Sequence, residues 1–145
     1  MGNLLLDAGQ TTQAITHFER ALANRQNYAV GYSNLGNALF AAGRRQEALA
    51  AYRRAYELNS RHPDIVMNYA LALLKERQFS EALKILEPFV QERPRIGRGW
   101  LLYGLAQRGL GNIQSARAAL QRAQALDPSL AAQVGQFLSQ PNPGR

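Results

Sequence analysis

Asparagines recur in this chain at an interval that would line up their amides. Asn34 and Asn68 stand 34 residues apart, and so do Asn3 and Asn37. A side-chain amide offers two donors and an acceptor, so a row of them can bond the backbone of an extended guest whatever side chains the guest carries. Further along, Arg98 and Arg108 add fixed positive charge suited to carboxylates. This is recognition chemistry. Catalysis finds no comparable set: His17 and His62 have no carboxylate or serine spaced to meet them locally, and neither HExxH, CxxC nor a phosphate-cradling glycine loop occurs. No catalytic residue, no metal ligand and no cofactor is therefore expected. The absence of cysteine removes disulfides, thiolate metal sites and cysteine nucleophiles together.

The same interval governs the whole chain. In steps of 34, Ala14, Ala48, Ala82 and Ala116 fall in one column, and Gly9, Gly43 and Gly111 in another, with no gap needed. So strict a spacing is a structural repeat. The unit at 29–62 reads as two helices. Tyr32, Leu35, Leu39 and Phe40 lie on one helical stripe that ends at Gly43, and Ala48, Leu49, Tyr52, Ala55 and Tyr56 lie on a second. Gly36, beside Leu35, leaves room for a close helix, while Gly43 supplies the positive φ of the turn. Helices are expected at 29–42, 46–58 and 80–92.

Tyr32, Leu35 with Gly36, Leu39, Ala48, Tyr52 and Ala55 together resemble the signature of the tetratricopeptide repeat, whose period is also 34. The next copy offers Val66, Tyr69 with Ala70, Leu73, Ala82, Leu86 and Pro94, and the last offers Trp100, Tyr103 with Gly104, Gln107, Ala116, Leu120, Ala123 and Pro128. Three departures stand out: Phe89 where the other copies have alanine, Arg77 in place of the loop glycine, and Ser60 where proline is usual. The resemblance implies an all-α fold, a right-handed α-solenoid of antiparallel helix pairs with about three and a half units and a C-terminal capping helix. Residues 1–28 would be a truncated first unit, 29–62, 63–96 and 97–130 the second to fourth, 129–139 the capping helix with Ser129 as its N-cap, and 140–145 a flexible tail. Pro63 opens a helix comfortably, whereas Pro88 removes a hydrogen bond inside one and should kink it, with the bulk of Phe89 part of the same adjustment.

Such a stack lines its concave wall with the first helix of each unit. The candidate peptide-binding residues on that wall are Asn34, Asn37, Met67, Asn68 and Leu71, followed by Arg98, Leu101, Leu105 and Arg108. Asn37, Asn68 and Arg98 fall on places that resemble part of the carboxylate clamp of chaperone-binding members of the family, although Ser33 and Leu102 stand where that clamp has basic residues. Leu101, Leu102 and Leu105 between Arg98 and Arg108 form an apolar strip with basic rims, unless the capping helix folds over it.

Charge narrows the partner. A net charge of +7 is carried almost wholly by arginine, and from Arg93 onward Arg95, Arg98, Arg108, Arg117, Arg122 and Arg145 face the single acid Asp127. A protein or peptide partner bearing acidic groups fits this best. Nucleic acid is disfavoured, because the aromatic residues mostly sit on packing stripes rather than on a stacking platform. No apolar run reaches the roughly 18 to 20 residues that would cross a bilayer. The chain is expected to be cytoplasmic, with a periplasmic location left open by an N-terminus that looks truncated and whose apolar half-unit could self-associate. The expected function is a non-catalytic protein-interaction scaffold. The alternatives are a substrate-presenting domain of a larger enzyme such as a glycosyltransferase, or nucleic-acid binding through the basic C-terminal third.

Overall fold

A helix whose apolar stripe is only one face wide needs a neighbour to cover it. The computed structural model of the chain, which describes residues 8–25 and 28–139, shows what covers each stripe. In order these are α1 (Ala8–Asn24), α2 (Ala29–Ala41), α3 (Arg45–Leu58), α4 (Pro63–Lys75), α5 (Phe79–Glu92), α6 (Gly97–Gly109), α7 (Ile113–Leu126), a short 3₁₀ turn (Pro128–Leu130) and α8 (Ala131–Ser139). All regular structure among the described residues is helical. The fold is all-α and of the solenoid type, with α1–α2, α2–α3, α5–α6, α6–α7 and α7–α8 packing as neighbours in sequence.

Two compact units result, Met1–Tyr69 and Ala70–Arg145, with the division inside α4. In the first, α1 packs on α2 and α2 pairs with α3. Gly36 sits under Tyr52: a Cβ there would come within 2.8 Å of the tyrosine ring. In the second, α5 packs on α6, α6 pairs with α7, and α8 rests on α7. Gly104 lies under Leu120 in the same way, with 2.9 Å left for a Cβ. A small residue on the first helix and a large one sixteen positions later thus set how closely each pair approaches.

The hairpin turn is the same in all three described pairs. Arg44, Gln78 and Asn112 each donate their backbone N–H to a carbonyl five residues back, at 2.9, 2.8 and 2.9 Å. The residue before each has positive φ: 81° at Gly43, 59° at Arg77 and 86° at Gly111. Arg77 therefore adopts the glycine conformation without being glycine, and its guanidinium lies over the Phe79 ring at 5.4 Å.

Several sequence expectations need correcting. α1 begins at Ala8, so Ala8 and Gly9 belong to this helix and not to a preceding helix and turn; a glycine permits a turn without imposing one. The rest of the expected first helix, with Gly2 and Asn3, lies outside the described residues, as do the apolar N-terminal end proposed for self-association and the tail at 140–145. Ser129 is not the cap of the last helix. The Asp127 carboxylate accepts from the Ser129 N–H at 3.1 Å and its hydroxyl at 2.6 Å, capping the 3₁₀ turn, because a charged acceptor outcompetes a hydroxyl. Pro88 does lie inside a helix, Phe79–Glu92, as expected. Phe89 owes its room to Gly99, where a Cβ would lie 2.8 Å from its ring. One unit earlier the sizes are reversed, Ala55 with Ile65, both buried.

Candidate peptide-binding face

The asparagines are held by neighbours whose chemistry the sequence stripes hid. Asn37 is exposed on α2, and its Oδ1 accepts the hydroxyl proton of Tyr52 from α3. Tyr52 is only 4% exposed, and burial pushes its phenol up to about 12. It is therefore a donor at any ordinary pH, and the amide oxygen has to face it. With the oxygen engaged, the Asn37 NH₂ is the end left to meet a guest carbonyl. The third and fourth copies carry Leu71 with Leu86 and Leu105 with Leu120 in these two columns, so there an apolar pair stands in place of the amide–hydroxyl pair. That paired exchange was the signal available in the sequence, but a tyrosine on a packing stripe reads first as bulk.

Asn68, half-buried on α4, donates from Nδ2 to the Ser33 Oγ of α2 at 3.4 Å. Ser33 itself is buried, so this pair stitches one first helix to the next. Asn34 and Met67 are half-buried on the same two helices. Behind them the Tyr69 ring stacks on Tyr52 at 6.5 Å and tilts against Tyr56 at 5.9 Å. In the first unit the geometry thus brings an oriented amide on α2 together with a second amide on α4. The nearby cavity of about 350 Å³ is a separate feature, lined by Glu19, Leu22, Tyr32, Leu35 and Arg54.

In the second unit Arg98 is exposed and Leu71 is half-buried. The apolar strip, in contrast, is not open. Leu101 is buried in a cluster with Leu120, Ala123 and Val134, and Leu105 packs against that cluster. Leu102, in the clamp position, is 2% exposed. The covering helix is α8, whose Val134 is wholly buried and whose Phe137 and Leu138 lie at the cluster's edge. Arg108 is buried as well, its guanidinium over the Phe137 ring at 5.9 Å. The expectation of Leu101, Leu105 and Arg108 as an open, basic-rimmed strip is therefore corrected: an apolar strip with a complementary helix next in the chain is covered by that helix. Arg122 is likewise engaged, stacked over Trp100 at 4.7 Å, and the Trp100 indole donates to the Pro94 carbonyl at 2.9 Å.

Sequence reasoning also missed a polar core at the fourth hairpin. Gln107 stands in the column of Leu39 and Leu73 yet is buried. Its Nε2 donates to the Tyr103 hydroxyl at 3.0 Å and its Oε1 accepts from Asn112 at 2.7 Å, so the buried amide is satisfied at both ends. His62 accepts the Asp64 backbone N–H on Nδ1 at 3.2 Å, at the start of α4. Among the described residues no three His, Cys, Asp or Glu side chains gather as a metal site, and no helix is long and apolar enough to cross a membrane.

Three family models described as tetratricopeptide repeat match residues 1–61, 39–96 and 97–130. The chain belongs to the tetratricopeptide repeat family. Among curated proteins it is similar to the Hsp70-Hsp90 organizing protein of Triticum aestivum, 37% identical over 94 residues, which is 65% of this chain and 16% of that protein. It is also similar to intraflagellar transport protein 70A of Bos taurus, 32% identical over 91 residues, 60% of this chain and 14% of that protein. The chain thus spans about a sixth of the length of these relatives. Among solved structures, MamA (41-end) from Desulfovibrio magneticus RS-1 matches with a TM-score of 0.80 at 27% identity, over 92% of this chain and 75% of that one. The first tetratricopeptide domain of Spaghetti, solved with the HSP90 peptide SRMEEVD, shares the fold with a TM-score of 0.65 at 20% identity, over 77% of this chain and 94% of that one.

Proposed function

We propose that this tetratricopeptide chain is a non-catalytic interaction scaffold that binds a peptide segment of a partner protein along the first helices of its units. The observation that carries the reading is the Tyr52–Asn37 hydrogen bond, which engages the amide oxygen of exposed Asn37 and leaves its NH₂ as the end to meet a guest. Asn34 and Asn68 extend the row on α2 and α4, with half-buried Met67 as an apolar contact beside it in the first unit, and half-buried Leu71 is a candidate contact on the second unit. Donors presented by a rigid helix bond guest backbone with little ordering cost. On the second unit, exposed Arg98, close in sequence to Arg93 and Arg95, is a counter-charge for acidic groups. The similarity to an Hsp70-Hsp90 organizing protein, and a solved neighbour of this fold carrying SRMEEVD, support an acidic segment as the guest.

Replacing Asn34, Asn37 and Asn68 by alanine together tests it. The replacement also removes the bonds to Tyr52 and Ser33, so melting should fall by several degrees with the helical fold retained in circular dichroism. At a temperature below that melt, binding of acidic peptides selected from a peptide array should weaken at least about tenfold, the loss of one or two hydrogen bonds to the guest. Unchanged affinity in calorimetric titration would remove the asparagine row from the proposal.

A further inference from the structure

The beginning of α8 is in phase with the repeat. Ala29, Pro63 and Gly97 open the first helices of successive units, and Ala131 opens α8 one further step of 34 along. By position α8 is the first helix of a fifth pair. Val134 shares its column with Tyr32, Val66 and Trp100, Phe137 with Leu35, Tyr69 and Tyr103, and Leu138 with Gly36, Ala70 and Gly104. In the fourth unit the spot beside Gly104 is filled by α7, through Leu120. One unit on, the matching spot holds a cavity of about 140 Å³ lined by Arg108, Ile113, Arg117, Leu120, Phe137 and Leu138. It is the seat that the second helix of a fifth pair would take.

Its walls differ from the earlier seats in a definite way. Where this one has Arg108, the second and third units have Phe40 and Leu74; where it has Arg117, they have Leu49 and Leu83. Of these two cations Arg108 is buried against Phe137, so it is at exposed Arg117 that the occupant differs from the chain's own second helices by carrying a carboxylate. Arg117 is exposed and has no acidic partner among the described residues. The remaining lining is apolar, with Ile113 40% exposed. A cavity of this volume matches one aliphatic or aromatic side chain, since an apolar void of about 150 Å³ takes up benzene. Leu138 in the small-residue column keeps a guest helix from approaching as closely as α7 approaches α6. The guest then reaches the seat by inserting a side chain.

We infer that the face formed by α7 and α8 docks an acidic amphipathic helix of a partner protein, one apolar side chain entering the cavity and a flanking carboxylate meeting exposed Arg117. This site is distinct from the asparagine row, and either can fail without the other.

The test uses the full chain and two synthetic 14-residue helices with leucines at three- and four-residue spacing, one flanked by glutamates and the other by lysines. In amide-detected NMR titrations the glutamate helix should shift resonances of Ile113 to Leu120 and of Val134 to Leu138, and the lysine helix should bind at least about tenfold more weakly. Arg117→Glu should reduce glutamate-helix affinity at least about tenfold, and Ile113→Ser should also weaken it. Both residues are exposed, so circular dichroism melts should remain near those of the parent. Equal binding of both helices, shifts confined to α2 and α4, or insensitivity to Arg117→Glu would overturn the proposal. Concentration-dependent dimerisation in sedimentation that Arg117→Glu abolishes would also overturn it, by assigning the seat to a second copy of this chain.

Discussion

Tyr52 serves packing and recognition with different atoms. Its ring closes over Gly36, and its hydroxyl holds the Asn37 amide. The two roles separate in Tyr52→Phe, which keeps the ring and loses the proton. Near neutral pH this variant should lose about 1 kcal/mol, the net worth of one such hydrogen bond, measured by urea unfolding. Alkaline pH gives a sharper readout. The folded phenol is raised to about 12 by burial, whereas an unfolded tyrosine ionises near 10. The folded state therefore keeps a proton that the unfolded state gives up. This contribution is whole below about pH 10 and is lost as pH rises through about 12. Parent stability should fall more steeply across that window than that of Tyr52→Phe, and parallel profiles would show that the phenol is not held in this way. The equivalent places of Asn34 and Asn68 on α2 and α4 were legible from their spacing alone, because a fixed repeat turns sequence positions into spatial ones. The tyrosine's part was not, since its partner lies fifteen residues away on another helix.

Turns and helix contacts decide the element scale. Gly43, Arg77 and Gly111 share one backbone conformation, and at Arg77 a side chain is held in the left-handed region that costs roughly 1 kcal/mol outside glycine. Replacing Arg77 with glycine should therefore stabilise the chain by up to about 1 kcal/mol, reduced by glycine's extra unfolded entropy and by loss of the stacking on Phe79. A lower denaturation midpoint would mean that the stacking outweighs the strain. The helix boundaries could be read within a few residues from stripe and turn, because periodicity and positive-φ demand are local. Which residue made room for Phe89 could not: Gly99 lies on the next helix, and only packing shows the large-for-small exchange.

At the scale of the whole molecule, stability should follow nearest-neighbour contacts within each of the two units. Leu120 is fully buried in the second, between Gly104 and the cluster that seats α8. Leu120→Ala should cost about 2–5 kcal/mol there. Amides of α6, α7 and α8 should lose hydrogen-exchange protection while those of α2 and α3 lose less. Uniform loss across both units would show that the chain unfolds as one body. The last helix also shows where sequence reading of a site reaches its limit. Leu101 and Leu105 have the pattern of a binding strip, and a strip for a guest and a strip for the chain's own next helix are written with the same residues.

The sequence by itself determined the repeat, the helical fold and the turns at Gly43, Arg77 and Gly111, because each follows from a constant interval and from contacts short along the chain. Only the tertiary structure decided which of those surfaces are open. It set the Asn37 amide oxygen on the Tyr52 hydroxyl, closed Leu101 beneath α8 and left a cavity beside Arg117, since exposure depends on what a neighbouring helix covers, and that is fixed by volumes and distances that a one-dimensional pattern does not carry.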